Sequence, residues 1–274
     1  MASLTTITPR NMRFAVEGRA DGLWCGGDPV RTAFFDGMSI MFPEGEKFFI
    51  ESVKENAADL TDPVLRAEVQ NFAMQEGLHS REHHRYNDVV AKRTGAVVTR
   101  LEEGVKFRLD LVRRWFGPKR RLAATAALEH FTAILADYLL THPEALEAAD
   151  PEIARLWLWH AIEENEHKAV AFDVMAAVAP GIGGYFLRTR SMVFTTLTFS
   201  FFMARHILAI LRADLGRRPG FRHYSALLRL FWGRGGVIPA TLLPWLAYFR
   251  PGFHPWDHDN RKLLDARRES LKMA

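Results

Sequence analysis

Trp159-His160-Ala161-Ile162-Glu163-Glu164-Asn165-Glu166-His167 sets His160, Glu164 and His167 four and three residues apart, on one face of a helix. Three other segments complement it. Glu76 and His79 form a second E-x-x-H pair, Glu46 follows Phe42-Pro43-Glu44-Gly45, and Glu129 lies within Ala127-Leu128-Glu129-His130-Phe131. A four-helix bundle holds two metal ions between facing helices with one Glu from each of two helices and an E-x-x-H from each of the other two. This chain supplies that set in the order Glu, E-x-x-H, Glu, E-x-x-H. One E-x-x-H pair arises often by chance, and a single helical Glu is usually solvated. Two pairs with two further Glu, in order and at helical spacing, are a specific signal.

The separations fit such a bundle. Glu46 and Glu76 are 30 positions apart and Glu129 and Glu164 are 35, each suiting two antiparallel helices with a short connection. The 53 positions from Glu76 to Glu129 leave room for a long crossover. The expected fold is therefore all-α: a ferritin-like four-helix bundle with a long crossover and additional C-terminal helices. The expected metal ligands are Glu46, Glu76, His79, Glu129, His160, Glu164 and His167. Carboxylate and imidazole donors without thiolate suit two iron ions, with manganese or zinc as alternatives. Apolar neighbours, among them Phe42, Phe48, Phe49, Phe72, Phe131, Trp157 and Trp159, would bury these carboxylates, and metal coordination offsets that cost.

The H-x-x-x-E-x-x-H of the fourth helix resembles the arylamine N-oxygenase type of di-iron protein. The stretch from Gly45-Glu46 through Gln75-Glu76 to Trp159–Val174 resembles a bacterial family of predicted metal-dependent hydrolases, over roughly residues 35 to 180. The ligands and these resemblances together imply a non-haem di-iron oxygenase or oxidase. It would activate dioxygen to oxidise a small or lipid-like organic substrate, with an external electron donor. The alternative is a dinuclear metal-dependent hydrolase, in which two ions activate water and clamp a leaving oxygen. A third reading is a non-catalytic metal-binding or ferroxidase protein. Dependence on dioxygen and reductant separates the first two.

Polar residues near the ligands are candidates to support them. His83 lies four beyond His79 and is expected to orient a ligand, and Glu163 offers an alternative register with His160. Asp173, six beyond His167, is a weaker candidate for holding an imidazole. Glu166 is expected to be solvated or paired with Lys168, and His130 to be structural.

Composition bounds the rest. The 274 residues include 36 Lys plus Arg against 32 Asp plus Glu, with the arginines scattered, so no nucleic-acid stripe is expected. The lone Cys25 excludes an internal disulfide and a Cys-based zinc site. The start, Met1 to Pro9, has neither the basic region nor the apolar stretch of an export signal. The expected setting is cytoplasmic, with membrane association as the alternative.

The chain divides into an irregular segment (1–33), the metal-binding bundle (34–180) and an apolar C-terminal helical extension (181–274). Helices are expected at about 34–57, with a start at Pro43–Gly45 as the alternative, and at about 62–94, 118–140 and 151–178, with 98–116 as the crossover. Asp62-Pro63 and Asp150-Pro151 read as helix starts, and Gly26-Gly27-Asp28-Pro29 as a turn. In the extension, Met192–Ala204 is a run of 13 uncharged residues and Val237–Phe249 contains Pro239 and Pro244. Both are short of the ~20 residues that span a bilayer, so buried helices are expected, with peripheral membrane contact or a greasy tunnel as alternatives. Trp232, Trp245 and Trp256 would line such a tunnel, although core packing is the expected use of any one of them. The tail from Asp257 is expected to form a charged surface helix, and association into an oligomer is left open.

Overall fold

Three Asp-Pro pairs open helices. Asp28, Asp62 and Asp150 each accept hydrogen bonds from two backbone amides of the first turn, and the proline that follows takes a position needing no amide donor. The computed structural model describes residues 7–58 and 60–273. In chain order the α-helices are α1 (Pro29–Ser39), α2 (Phe42–Ala57), α3 (Pro63–Thr94), α4 (Val97–Trp115), α5 (Pro118–Thr141) and α6 (Pro151–His167). They continue as α7 (Val170–Val178), α8 (Gly181–Leu215), α9 (Phe221–Trp232), α10 (Val237–Ala247) and α11 (Arg261–Ser270). Among the described residues there is no strand, only one isolated antiparallel bridge between Cys25 and Ala149. The fold is all-α. The export-signal reading of the first residues falls mostly on 1–6, outside the described residues.

The four helices that carry the candidate ligands, α2, α3, α5 and α6, pack together, with α4 connecting α3 to α5. Gly95 ends α3 in a positive-φ conformation (66°) that a side chain would strain. The irregular segment after residue 7 runs over the bundle: Phe14 is buried against Trp159, their ring centroids 5.2 Å apart.

Two expected helices are each broken in two. The stretch expected over 34–57 is α1 and α2, and the alternative start near Pro43–Gly45 is close to that of α2, because Asp28 caps a helix beginning at Pro29 and the chain turns at Ile40–Met41. Pro43 then sits harmlessly in the first turn of α2. The helix expected over 151–178 breaks at Lys168–Ala169 into α6 and α7. Lys168 is buried at this break, and its Nζ donates to the His258 carbonyl at 2.8 Å and to Asn260 Oδ1 at 3.0 Å. Those bonds hold the C-terminal tail over the end of α6.

The apolar run Met192–Ala204 is the middle of the 35-residue α8, which is long and apolar enough to cross a membrane, its best window having a mean hydropathy of 1.5. The run therefore is not short, and only 28% of that window is buried, so α8 is not the core helix the run suggested. One side of α8 does pack inward. Met203, Ile207, Ile210 and Leu211 share a core with Phe34, Phe35, Trp157 and Trp159. Gly37 of α1 makes this possible, since a Cβ there would stand 3.1 Å from the backbone nitrogen of Ile207.

Candidate metal centre

All seven expected ligands are buried, and the bundle brings them into one cluster. Glu46 comes from α2, Glu76 and His79 from α3, Glu129 from α5, and His160, Glu164 and His167 from α6. Three groups have donor atoms mutually within 4.8 Å: Glu46 with His79 and His160, Glu76 with Glu129 and His167, and Glu76 with His79 and Glu164. The first two groups share no residue, and the third draws on both.

Each imidazole is held by one nitrogen and presents the other. His160 Nδ1 lies 2.6 Å from His83 Nε2, while its Nε2 lies 2.8 Å from Glu164 Oε1 and 3.8 Å from Glu46 Oε1. His79 Nε2 lies 3.1 Å from Glu163 Oε2, leaving Nδ1 3.8 Å from Glu76 Oε2. His167 Nδ1 lies 3.0 Å from Gln75 Oε1, and its Nε2 is 3.3 Å from Glu76 Oε1 and 3.5 Å from Glu129 Oε2. Imidazoles that bind metals are commonly oriented this way, by a partner on the far ring nitrogen.

The partners are themselves anchored. His83 Nδ1 meets Ser39 Oγ at 2.8 Å, and Ser39 donates to Asn87 Oδ1 at 2.7 Å. Asn87 Nδ2 donates in turn to Glu102 Oε1 at 2.9 Å, reaching a half-buried residue of α4. Gln75 Nε2 donates to Glu166 Oε2 at 2.9 Å, and Arg10 donates to both Glu166 (2.9 Å) and Glu163 (3.3 Å). Thr132 Oγ1 donates to Glu164 Oε2 at 2.6 Å.

Of the three supporting residues expected, the structure sets His83 and Glu163 against ligand imidazoles. Asp173 faces away: it lies on α7 and meets His254 Nε2 at 2.9 Å. The break after α6 removes the helical register on which its assignment rested. Glu166 is buried and bound to Gln75 and Arg10, not solvated or paired with Lys168. His130 meets the Pro244 carbonyl at 3.1 Å, away from the cluster. Gln75, Thr132, Ser39, Asn87 and Arg10 were not foreseen. Gln75 and Thr132 carried a usable signal, since each lies three or four residues from a ligand on its own helix, His79 and Glu129 respectively. Ser39 and Arg10 come from separate segments, where spacing says nothing.

Electrostatics argue that the cluster is built around cations. Burial, with Glu164 and Glu129 nearby, pushes Glu46 well above the usual carboxylate range. Burial and the same neighbours act likewise on Glu76. Burial pushes Glu129 up to about 8 against the pull of His167. Burial holds His79 and His83 well below the ordinary histidine value, reinforced by His160. Both oxygens of Glu46, Glu76 and Glu129, with His79 Nδ1 and His167 Nε2, are buried with no hydrogen-bond partner. Such orphans are costly, yet here they all face one another. A metal ion satisfies them together, and the oxygen and imidazole donor set suits iron, manganese or zinc.

A narrow apolar cavity reaches the cluster from one side, with room for water-sized molecules over about 50 Å³. Phe34, Phe35, Met38, Phe42, Leu135 and Trp157 are among its walls, and Thr132, Tyr138, His160 and Glu164 are the polar residues it meets. Of the three tryptophans suggested for a tunnel, none lines it: Trp232 is exposed, Trp245 donates to Thr196, and Trp256 lies against Lys168.

A family model described as predicted metal-dependent hydrolase matches residues 8–259. No curated protein and no solved structure gives a match.

Proposed function

The chain belongs to the family of predicted metal-dependent hydrolases, and on that premise we propose that it is a dinuclear metal-dependent hydrolase acting on a small or lipid-like substrate. The observation that carries this reading is the set of orphaned donor atoms facing one another across the bundle. The two donor groups without a common residue support a pair of ions. Glu46, His79 and His160 would hold one, Glu129 and His167 the other, with Glu76 and Glu164 placed between them. Bound cations supply Lewis acidity and lower the pKa of water so that it reacts at neutral pH.

The chain's own residues do the remaining work. The apolar cavity takes the substrate's hydrocarbon part and excludes bulk water, directing its reactive group towards His160 and Glu164. Thr132 fixes the orientation of the Glu164 carboxylate. His160 Nδ1, His83, Ser39, Asn87 and Glu102 form a hydrogen-bonded chain from the centre towards the surface, which holds His160 in one tautomer and one orientation. The test is a panel of esters, amides and phosphoesters assayed with metal-loaded and chelated protein. Turnover that depends on the metal and proceeds without dioxygen supports hydrolysis, and a loaded protein inert across the panel contradicts it.

Oxidation with dioxygen and an external electron donor is the second reading. The specific observation in its favour is the carboxylate-rich set with a seventh donor, His160, in a buried site. The family description favours hydrolysis over it. Oxygen uptake that requires both reductant and substrate would establish oxidation instead.

A further inference from the structure

We propose that the face formed by α8, α9 and α10 rests on an anionic lipid bilayer, lying in the plane of the interface and not crossing it. On α8 the side chains of Ile182, Phe186, Val193, Phe194, Leu197 and Phe201 are 44–71% exposed, and their spacing follows one side of the helix. On α9 the exposed residues Phe221, Tyr224, Leu228 and Trp232 recur at helical intervals, with Phe221 at 88%. Leu242, Leu243 and Leu246 do the same on α10. Rows of large apolar side chains left exposed on three successive helices mark a binding face.

Charge identifies the partner. Residues 181–256 contain ten arginines and one acidic residue, Asp214, although the whole chain has 36 basic against 32 acidic residues. Eight of those arginines, from Arg190 to Arg234, are exposed, and among the described residues none of the eight forms an ion pair. Apolar side chains interleaved with unpaired arginines are the pattern of a surface that embeds in the headgroup region of anionic lipids. A second copy of this chain would bring like charges together, and so fits the face poorly. A shallow groove on the same face, lined by Phe186, Leu187, Val193 and Phe249 with Arg190, suits an acyl chain and its phosphate.

Spanning is disfavoured by the other side of α8. Met203, Ile207, Ile210 and Leu211 are committed to the protein core, and Arg188 is buried with its guanidinium donating to the Tyr248 carbonyl. The cavity leading to the metal centre lies close by: Phe34 in its wall stacks edge-on with Phe231 of α9, and Tyr138 in its wall donates to the Gly235 carbonyl.

The test is co-sedimentation of the full-length protein with vesicles of phosphatidylcholine and phosphatidylserine in a three-to-one ratio, against phosphatidylcholine alone. Binding should require phosphatidylserine, weaken with salt, and fall about fivefold for each of Arg217→Gln, Arg218→Gln and Arg222→Gln. Leu197→Asp with Phe201→Asp should abolish it while leaving the far-ultraviolet circular dichroism unchanged. Wild-type protein that ignores both vesicles, or variants that bind like wild type, would overturn the proposal. So would sedimentation velocity showing a stable dimer that Phe201→Asp dissolves, since the face would then be a self-interface.

Discussion

His83 and His160 meet nitrogen to nitrogen, Nε2 to Nδ1, at 2.6 Å, and this contact fixes which nitrogen of His160 faces Glu164 and Glu46. His83 is therefore the residue through which α1 and α3 steer a candidate ligand on α6. Substituting it with Ala frees the His160 ring and leaves its Nδ1 without a buried partner. Metal affinity of His83→Ala, measured by competition with a calibrated chelator, should fall about 10- to 100-fold, with the helical content retained. Unchanged affinity would show that His160 does not need this orientation.

The four carboxylates make the metal-free and metal-loaded proteins respond oppositely to one substitution. Glu129→Gln replaces a carboxyl that must be held protonated when buried among Glu46, Glu76 and Glu164 with a group that is neutral already. The chelated variant should gain about 1–3 kcal/mol of stability over chelated wild type in urea unfolding. It should also lose its share of bound metal. A variant destabilised in both states would point to a structural role for Glu129.

Stability of the chelated protein should fall as pH rises from about 7 to about 8.5. The sign follows from Glu129, whose folded value of about 8 lies above its unfolded value, so the folded state binds more protons across this window. Glu46 and Glu76, also raised by burial, act in the same direction. His79 and His83, held low by burial, are neutral in both states above about pH 7 and add nothing there. Metal loading replaces those protons and should cancel or reverse the slope. Thermal unfolding with and without chelator checks it, and a chelated protein that grows more stable over this range would contradict it.

Much of this centre was legible in the chain because helical spacing is a local property. The candidate ligands of α3 and α6 stand three and four residues apart, and the Asp-Pro starts of α3 and α6 fix where those helices begin. His83 was legible for the same reason, being four residues from His79. What spacing cannot show is contact between distant segments. Arg10 lies over 150 residues from Glu163 and Glu166, and Ser39 lies 44 from His83. Asp173 was misplaced because its register was counted through Lys168, where α6 ends. The apolar run Met192–Ala204 was read as short because Arg190 and Arg205 border it, yet the helix continues past both.

Seating of α8 on α1 depends on the absence of a side chain at Gly37, whose added Cβ would meet backbone atoms of His206 and Ile207 at 3.1–3.4 Å. Backbone gives way less readily than a flexible side chain. Gly37→Ala should cost about 1–3 kcal/mol in chemical unfolding. A neutral result would mean that α1 and α8 are free to separate slightly.

Metal content per chain tests the central claim most directly. Protein loaded anaerobically with ferrous iron, or with manganese or zinc, is desalted and measured by mass spectrometry. The account predicts about two ions per chain, lost together in Glu164→Ala or His167→Ala. Folded protein that retains no stoichiometric metal under any of these conditions would contradict it.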